Sequence, residues 1–270
     1  ASTMTKRPEL SRDYFPIRWH IVAYMAVLHL LALVSLWFFS VPNLIAFLFL
    51  YVKSAMGVTL GLHRMATHKS FKTHKWFERL LITGGSLAAQ GGPIEWVGLH
   101  RHHHLHSDKM SDHHDSRRGF WWAHMGWMFY SVPAMKHVPE LTKDLQKDPY
   151  YVWLEKNFLL LQLPLAIFLW FIGGWTMVLW GVPLRLVAVY HATWLVNSVS
   201  HMWGDRPKFT GDYSTNNKIV AFLTFGEGFH NNHHFKQARA RHGVGKHQFD
   251  PTWELIRFLE SIGLVTDVIR

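Results

Sequence analysis

The chain has 270 residues and a formal net charge of +10; 49% of its residues are hydrophobic, including 14 Trp and 19 Phe. It contains no cysteine, which excludes disulfides, iron–sulfur clusters, thiolate zinc sites and Cys-ligated haem. A bound metal must therefore be held by His or carboxylate ligands, and the basic residues form no nucleic-acid-binding motif, so we expect no nucleic-acid partner.

The first predicted elements are two apolar stretches, residues 19–40 and 41–62, each long enough to cross a bilayer as a helix. The uncharged junction Ser40-Val41-Pro42-Asn43 favours a short turn, so the two spans are predicted to form a hairpin. The first stretch is too long for a signal peptide and lacks a small-residue cleavage site, so we expect it to remain in the membrane. Lys53 is expected to face other helices or to extend toward the interface.

The segment that follows, residues 63–157, is predicted to form most of a polar cap. Glu78 to Leu99 is only partly apolar and contains Gly84-Gly85 and Gly91-Gly92-Pro93. This pattern predicts a helix at the membrane interface that a turn joins to the next segment, and a third pair of full spans is not expected.

Two further apolar stretches, residues 158–180 and 182–200, predict a second hairpin that turns at Gly181-Val182-Pro183. Arg185 is expected at the outer interface beside this turn. With four spans, both termini and the cap (63–157 and 201–270) share one side of the membrane. That side is predicted to be cytoplasmic, because 26 of the 28 Lys and Arg residues lie outside the apolar stretches. Residues 1–270 are thus predicted to form one all-α integral membrane domain.

Three histidine clusters lie beside these spans and are the strongest candidates for metal ligands: His63 and His68; His100, His103 and His104; His230, His233 and His234. Helical positions i, i+3 and i+4 share a face, so the second and third clusters are each expected to converge. His63 and His68 would lie about 140° apart on an ideal helix. They either reach different metals or the helix unwinds between them.

A ninth candidate ligand, His201, closes the fourth predicted span. Asn197 precedes it by four residues and faces the same way on a helix. We interpret His20, His29, His74, His137, His191, His242 and His247 as ordinary solvated histidines. The remaining ones, His102, His106, His113, His114 and His124, could orient the ligands.

The sequence lacks the motifs of several other enzyme classes. HExxH is absent, which excludes a zinc peptidase of that type. A phosphate-binding GxxxxGK[ST] and a strand-bound GxGxxG are absent as well. Soluble di-iron bundles use two Glu-x-x-His motifs, whereas this chain has one, Glu227 to His230.

These motifs resemble the integral-membrane fatty acid desaturases, specifically their Δ9 (stearoyl-type) branch. The matching stretches are GLHRMATHKSFK, LHRHHHLHSD, DSRRGFWWAHMGW, TWLVNSVSHMWG and FGEGFHNNHHF, followed by RHG and QFDPTW. They extend from residue 61 to about residue 253, nearly the whole chain.

The resemblance implies four membrane helices under a cytosolic helical cap that holds a di-iron centre. The implied ligands are His63, His68, His100, His103, His104, His201, His230, His233 and His234, with Asn197 holding a water on one iron. O2 is the implied co-substrate. Electrons would come from a separate ferredoxin or cytochrome b5, which the basic cap would attract if the carrier is acidic.

Two further groups of residues complete the predicted site. Because metal-bound imidazoles need acceptors that orient them, Asp108, Asp112, Asp115 and Glu227 are expected to serve in that role. The resemblance places Gln90, Trp96 and Thr193 at the bend of an acyl tunnel and Tyr51 and Ala55 near its closed end, which favours a Δ9 double bond.

Val97-Gly98-Leu99 replaces charged residues of the animal acyl-CoA enzymes. The replacement favours the bacterial and cyanobacterial acyl-lipid type, whose substrate is esterified in a glycerolipid. An acyl-CoA desaturase is the second interpretation. A lipid, alkane or carotenoid hydroxylase or ketolase on the same scaffold is another, and a histidine-rich metal transporter or sensor is the alternative that is not an enzyme.

Overall fold

Helices make up the architecture of the computed structural model, which describes residues 15–270. In chain order the α-helices are α1 (Trp19–Ser35), α2 (Val41–Met56), α3 (Lys75–Ser86), α4 (Pro93–His106), α5 (Phe120–His124), α6 (Val138–Leu141), α7 (Lys143–Gln146), α8 (Pro149–Asn157), α9 (Gln162–Leu179), α10 (Arg185–Asn197), α11 (Lys218–Leu223), α12 (His230–Phe235) and α13 (Pro251–Ser261). Within the described part, the paired strands are β1 (Lys72–Thr73) and β2 (Val265–Thr266), which are antiparallel.

Shorter helical turns join or extend these helices. Wide π-helical turns cover Gly57–Thr67 and Trp180–Leu184. Tighter 3₁₀ turns cover Leu36–Phe38, Ser116–Arg118, Gly126–Phe129, Pro133–His137, Phe158–Leu161 and Val199–His201. Between residues 15 and 270, three helical segments are long and apolar enough to cross a membrane: Trp19–Phe38, Val41–Thr67 and Pro149–His201.

The first hairpin forms where it is predicted. Ser40 caps α2, its hydroxyl accepting a hydrogen bond from the Asn43 amide (3.2 Å), and Pro42 occupies the first turn. The helix runs on through the π-helical turns to Thr67, five residues past the predicted end. Exposed apolar side chains on this helix end at Val52, and Lys53 beside it is exposed instead of facing a helix.

The second hairpin turns elsewhere than predicted. Gly174 has φ 73°, a left-handed conformation that favours glycine, and a Cβ on Gly181 would collide with the Leu169 side chain. Leu169 and Gly181 are 12 residues apart in the chain and would lie about 18 Å apart in one continuous helix. Because they are in contact instead, the 149–201 segment reverses at Gly174. The predicted reversal of the chain at 181–183 is wrong, because Pro183 lies inside the π-helical segment Trp180–Leu184.

The shifted turn also changes the position of Arg185. This side chain is fully buried, and it donates hydrogen bonds to the Gln162 side chain (2.6 Å) and to the carbonyls of Leu87 (2.8 Å) and Gly181 (2.9 Å). Gln162 and Arg185 lie nearly the same number of residues before and after Gly174, as expected for two antiparallel arms. The expected position of Arg185 at the outer interface is therefore wrong.

The cap packs around the π-helical turns of residues 57–67. Its core includes the fully or almost fully buried Leu62, Ile82, Val97, Leu154 and Ile256, which come from that segment and from α3, α4, α8 and α13. The predicted interfacial region forms α3, a turn and α4, and Trp76 and Leu80 of α3 are exposed. This packing fixes α4 and the 57–67 segment against each other.

Candidate metal centre

The nine predicted histidine ligands come together as two separate groups. Within each group the nearest ring nitrogens lie within 4.8 Å of one another. The five-histidine group is His63, His68, His100, His104 and His233, and the four-histidine group is His103, His201, His230 and His234.

Both helical clusters divide between the two groups. On α4, the Nε2 atoms of His100 and His104 lie 3.0 Å apart in one group, while His103 belongs to the other. On α12 the division is reversed: His230 and His234 meet at 3.0 Å, and His233 joins the five-histidine group. Because i and i+4 share a face more closely than i and i+3, each helix supplies both groups.

The unusual spacing of His63 and His68 is resolved by the local helix geometry. The His68 amide donates to the His63 carbonyl (3.1 Å), an i to i+5 bond of the π type. This wider turn brings both rings to the same side, with centroids 4.8 Å apart, in the five-histidine group. Of the two expectations left open, the altered helix is confirmed, and both rings lie in one group.

Carboxylates hold the second ring nitrogen of several of these histidines. The Nδ1 atoms contact the carboxylates as follows: His103 contacts Asp112 (2.9 Å), His201 contacts Asp108 (2.8 Å), His234 contacts Asp212 (2.6 Å) and His63 contacts Glu227. An acceptor at Nδ1 leaves Nε2 free to bind a cation. Three of the four predicted acceptors, Asp108, Asp112 and Glu227, thus lie where expected.

Asp115 and Asp212 are the two positions where the carboxylates differ from the prediction. The carboxylate of Asp115 binds the amide and the guanidinium of Arg117 (2.7–3.1 Å), and it caps the turn at Ser116 instead of contacting a ligand candidate. Asp212 takes the role at His234, and although its burial opposes the shift, the bond with His234 holds the pKa of Asp212 below its ordinary range. Asp212 has no helical spacing to a histidine, so the sequence offers no signal for it.

The donor set fits a metal ion that prefers imidazole. The buried Nε2 atoms of His68 and His103 have no hydrogen-bond partner within the described chain. Burial, reinforced by the neighbouring imidazoles, holds the pKa of His100, His103 and His104 well below the ordinary value. Neutral rings with free nitrogens are the form that binds iron, copper or zinc.

Two residues beside the five-histidine group were missed or misjudged in the sequence. His242, interpreted as ordinary, packs 4.5 Å from the His233 ring, and burial lowers its pKa to about 3. Arg64 is fully buried and donates to Glu227 (3.2 Å) and Asp250 (2.9 and 3.0 Å). Arg64 directly follows His63, and His242 lies in the RHG stretch, but neither position has a sequence pattern that predicts its burial or its contacts.

The five histidines considered as orienting groups differ from one another in what they contact. The His114 ring lies 4.1 Å from that of His103. His113 packs against Trp127 at 4.7 Å, and His102 and His106 lie together at 4.5 Å. His124 is placed differently: its Nε2 lies 3.0 Å from His191 and its Nδ1 lies 3.0 Å from the Ser198 hydroxyl.

A cavity of about 400 Å³ leads to the five-histidine group and is lined by Gln90, Trp96, Thr193, Asn197 and His100. The Gln90 amide donates to the Thr193 hydroxyl (2.8 Å), and the Trp96 indole donates to the Gln90 carbonyl oxygen (3.1 Å). The three residues predicted at the bend therefore form one connected network.

A smaller cavity of about 50 Å³ shares Trp96, Thr193 and Asn197 with the first and extends to Ala55. Tyr51 is not among its lining residues in the described structure. Its hydroxyl instead donates to the Leu223 carbonyl (2.6 Å), a contact that ties α2 to α11. Leu223 and Thr224 line the smaller cavity, so Tyr51 holds the backbone of that wall.

Residues 37–253 match the family model described as "Fatty acid desaturase". The chain belongs to the fatty acid desaturase family. This family consists of oxidoreductases that use iron. Among its curated relatives, this desaturase is 51% identical over 224 residues to an sn-1 stearoyl-lipid 9-desaturase of Anabaena variabilis, covering 83% of this chain and 82% of the relative.

Two further relatives match nearly the whole desaturase chain. An sn-1 stearoyl-lipid 9-desaturase of Synechocystis sp. is 44% identical over 97% of this chain and 83% of its own length. An sn-2 palmitoyl-lipid 9-desaturase of Nostoc sp. is 43% identical over 94% of this chain and 90% of its own length. The similarity therefore covers the spans, both histidine groups and the cavity.

Proposed function

We propose that this desaturase introduces a cis Δ9 double bond into a saturated acyl chain of a membrane glycerolipid, using two iron ions and O2. The observation that carries the proposal is the division of nine histidines, six of them buried and three half-buried, into two all-imidazole groups beside an apolar cavity. One iron would be held by the five-histidine group, and the other by the four-histidine group with Asn197 through a water. When bound there, the two irons would supply the O2-dependent oxidation by which two hydrogens leave the acyl chain.

We propose four membrane spans, because the long 149–201 segment has two arms that fold back on each other at Gly174. An even number of spans puts the cap and both ends of the chain on one side, although residues 1–14 lie outside the described structure. The distribution of Lys and Arg makes that side cytoplasmic. Residues 1–270 would then form a single desaturase domain with its metal centre at the cytoplasmic face.

The protein's own residues would bind and bend the acyl chain. Trp96 contacts both cavities, and its ring stacks 5.1 Å from that of His100, so a chain passing Trp96 lies next to the five-histidine group. The bonds among Gln90, Trp96 and Thr193 fix the shape of the wall at that point. A fixed wall holds one pair of methylenes at the metal centre, which is the requirement for one double-bond position.

The names of the three relatives described above support an acyl-lipid substrate, although relatives at 41–42% identity are named acyl-CoA desaturases. One argument from the sequence loses its force. Val97 and Leu99 are buried in the cap core, and Gly98 packs against Val138. These apolar positions are explained by packing and do not describe a surface for the acyl carrier. A ferredoxin or cytochrome b5 would supply two electrons for each double bond.

The test is expression in a desaturase-deficient host, followed by lipid-class-resolved mass spectrometry that locates double bonds. We expect a new Δ9 alkene in one glycerolipid class with wild type and none with His103→Ala, while His74→Ala, an exposed control, retains activity. Hydroxylated or keto products would support the hydroxylase or ketolase, and acyl-CoA products the second desaturase interpretation. Unchanged lipids with iron and reductant present would contradict the proposal, and metal uptake without lipid products would favour a transporter.

A further inference from the structure

A small basic surface with two exposed aromatic rings covers the outer side of α12. It consists of Arg206, Lys208, Phe209, Phe235 and Lys236, which we call the basic aromatic surface. The Phe209 ring is 92% exposed and Phe235 is 48% exposed. The three cations are exposed too.

Backbone contacts join the two parts of this surface. The Lys208 amide donates to the Asn231 side-chain oxygen (2.9 Å), and the Asn231 amide group donates to the Lys208 carbonyl (3.0 Å). The Lys208 ammonium lies 5.5 Å from the centre of the Phe235 ring. Residues 206–209 are therefore fixed to the helix that carries His230, His233 and His234.

The surface is also bonded directly to the metal centre. Phe235 follows His234 in the chain, so one peptide link separates an exposed ring from a ligand candidate of the four-histidine group. From the other side, Asp212 follows Phe209 by three residues and contacts Nδ1 of His234 at 2.6 Å. His234 thus has short covalent and hydrogen-bonded paths to both exposed rings.

We propose that a small acidic one-electron carrier protein docks on the basic aromatic surface and delivers electrons to the four-histidine side of the metal centre. This inference rests on the proposed function, which requires an external reductant. Three exposed cations stand against one exposed acid, Asp205, in residues 205–209 and 235–236, so the surface attracts a negatively charged partner. Aromatic rings and Arg are also enriched in protein–protein interfaces.

A bilayer fits this surface less well than a protein. The exposed apolar side chains of α1, α2 and α9 form long rows, as lipid contact requires. The basic aromatic surface has two rings among three cations instead of a continuous apolar face. An encounter with a redox partner needs only a small contact area of this kind.

The electron balance requires two encounters for each double bond. Each encounter oxidises the carrier by one electron. Two electrons and two protons from water, together with the two hydrogens removed from the acyl chain, reduce one O2 to two water molecules.

The experiment uses iron-loaded protein in lipid nanodiscs, with reduced plant-type [2Fe–2S] ferredoxin as the probe. We expect Lys208→Glu with Lys236→Glu to slow ferredoxin oxidation about tenfold at low ionic strength, with a smaller effect at high salt. Phe209→Ser should weaken ferredoxin binding without changing the salt dependence. Lys136→Glu, an exposed charge reversal on the Pro133–His137 turn, is the matched control and should leave both unchanged.

A second measurement bypasses the carrier: dithionite-reduced enzyme is given O2, and alkene is counted in a single turnover. The surface variants should match wild type here, because only delivery is impaired. A ferredoxin rate unchanged in the double variant would overturn the docking site, as would a lower single-turnover yield. Loss of binding to phosphatidylglycerol vesicles at an unchanged ferredoxin rate would instead assign the surface to the membrane. If reduced wild type makes no alkene, the proposed function fails, whatever ferredoxin binding shows.

Discussion

The five-histidine and four-histidine groups have the same ring chemistry but are held in place differently. Aspartates hold three of the four rings in the smaller group, where Asp112, Asp108 and Asp212 contact His103, His201 and His234. In the larger group, Glu227 contacts His63, and this glutamate is itself tied to Arg64.

The difference shows two ways to position imidazoles. The four-histidine group depends on separate carboxylates from loops, each orienting one ring. The five-histidine group depends on backbone geometry, with two rings on the π-helical turns, two on α4 and one on α12. Substituting an aspartate of the four-histidine group should therefore affect only the histidine that it contacts. Substituting Glu227 should also affect the packing of the cap.

The largest effect is expected from removing one ligand in each group. His100→Ala and His230→Ala should each abolish desaturation and lower bound iron from about two to about one per protein, because each group holds its own ion. Metal analysis of purified protein measures this, with exposed His74→Ala as the control. Loss of both irons in either variant would show that the groups depend on each other.

Glu227→Gln should affect stability as well as metal binding. Glu227 is buried with Arg64, and among residues 15–270 Asp250 would remain as the one acidic partner of that guanidinium. Breaking a buried ion pair costs about 3 kcal/mol. Thermal unfolding in detergent should show a lower midpoint for this variant, while Asp212→Asn should unfold near wild type in the apo form. Equal midpoints for the two variants would remove the contrast between the groups.

Asp212→Asn should loosen one iron and leave the other. Removing a carboxylate behind a ligating imidazole lowers metal affinity about 10- to 100-fold. Chelator competition measures the affinity of each ion. Asp115→Asn is the matched control, since Asp115 is also buried in the cap but binds Arg117 instead of a histidine. A similar loss in both variants would attribute the effect to the general charge of the cap.

The smallest effect is expected at the cavity wall, where Thr193→Val removes the hydrogen-bond partner of Gln90 at nearly constant volume. Iron content should stay at wild-type level in both groups. The double-bond position should become less uniform, because Gln90 and Trp96 lose one fixed contact. Product mapping by mass spectrometry measures the shift, and a single unchanged isomer would show that this bond does not fix the bend.

Much of this arrangement could be predicted because it depends on local patterns. Helical spacing singled out His100, His103 and His104 and their counterparts on α12, and the hydropathy of residues 19–62 located the first hairpin correctly. The second turn was misplaced because Gly and Pro are the usual turn signals, yet Gly174 makes the reversal and Pro183 fits in a π-helical turn. Asp212 and His242 have no periodicity that links them to the ligands.

By itself, the sequence determined the chemistry available to this protein: apolar lengths that can cross a membrane, no thiolate, and nine histidines as candidate ligands. These follow from composition and spacing, which act over one helical turn or one span. Only the tertiary structure decided which histidines share a group, where the second hairpin turns and which carboxylates hold the rings. Those choices depend on contacts between residues distant in sequence, such as His63 with His233 (3.1 Å) and His201 with Asp108, whose free energy comes from packing the whole cap.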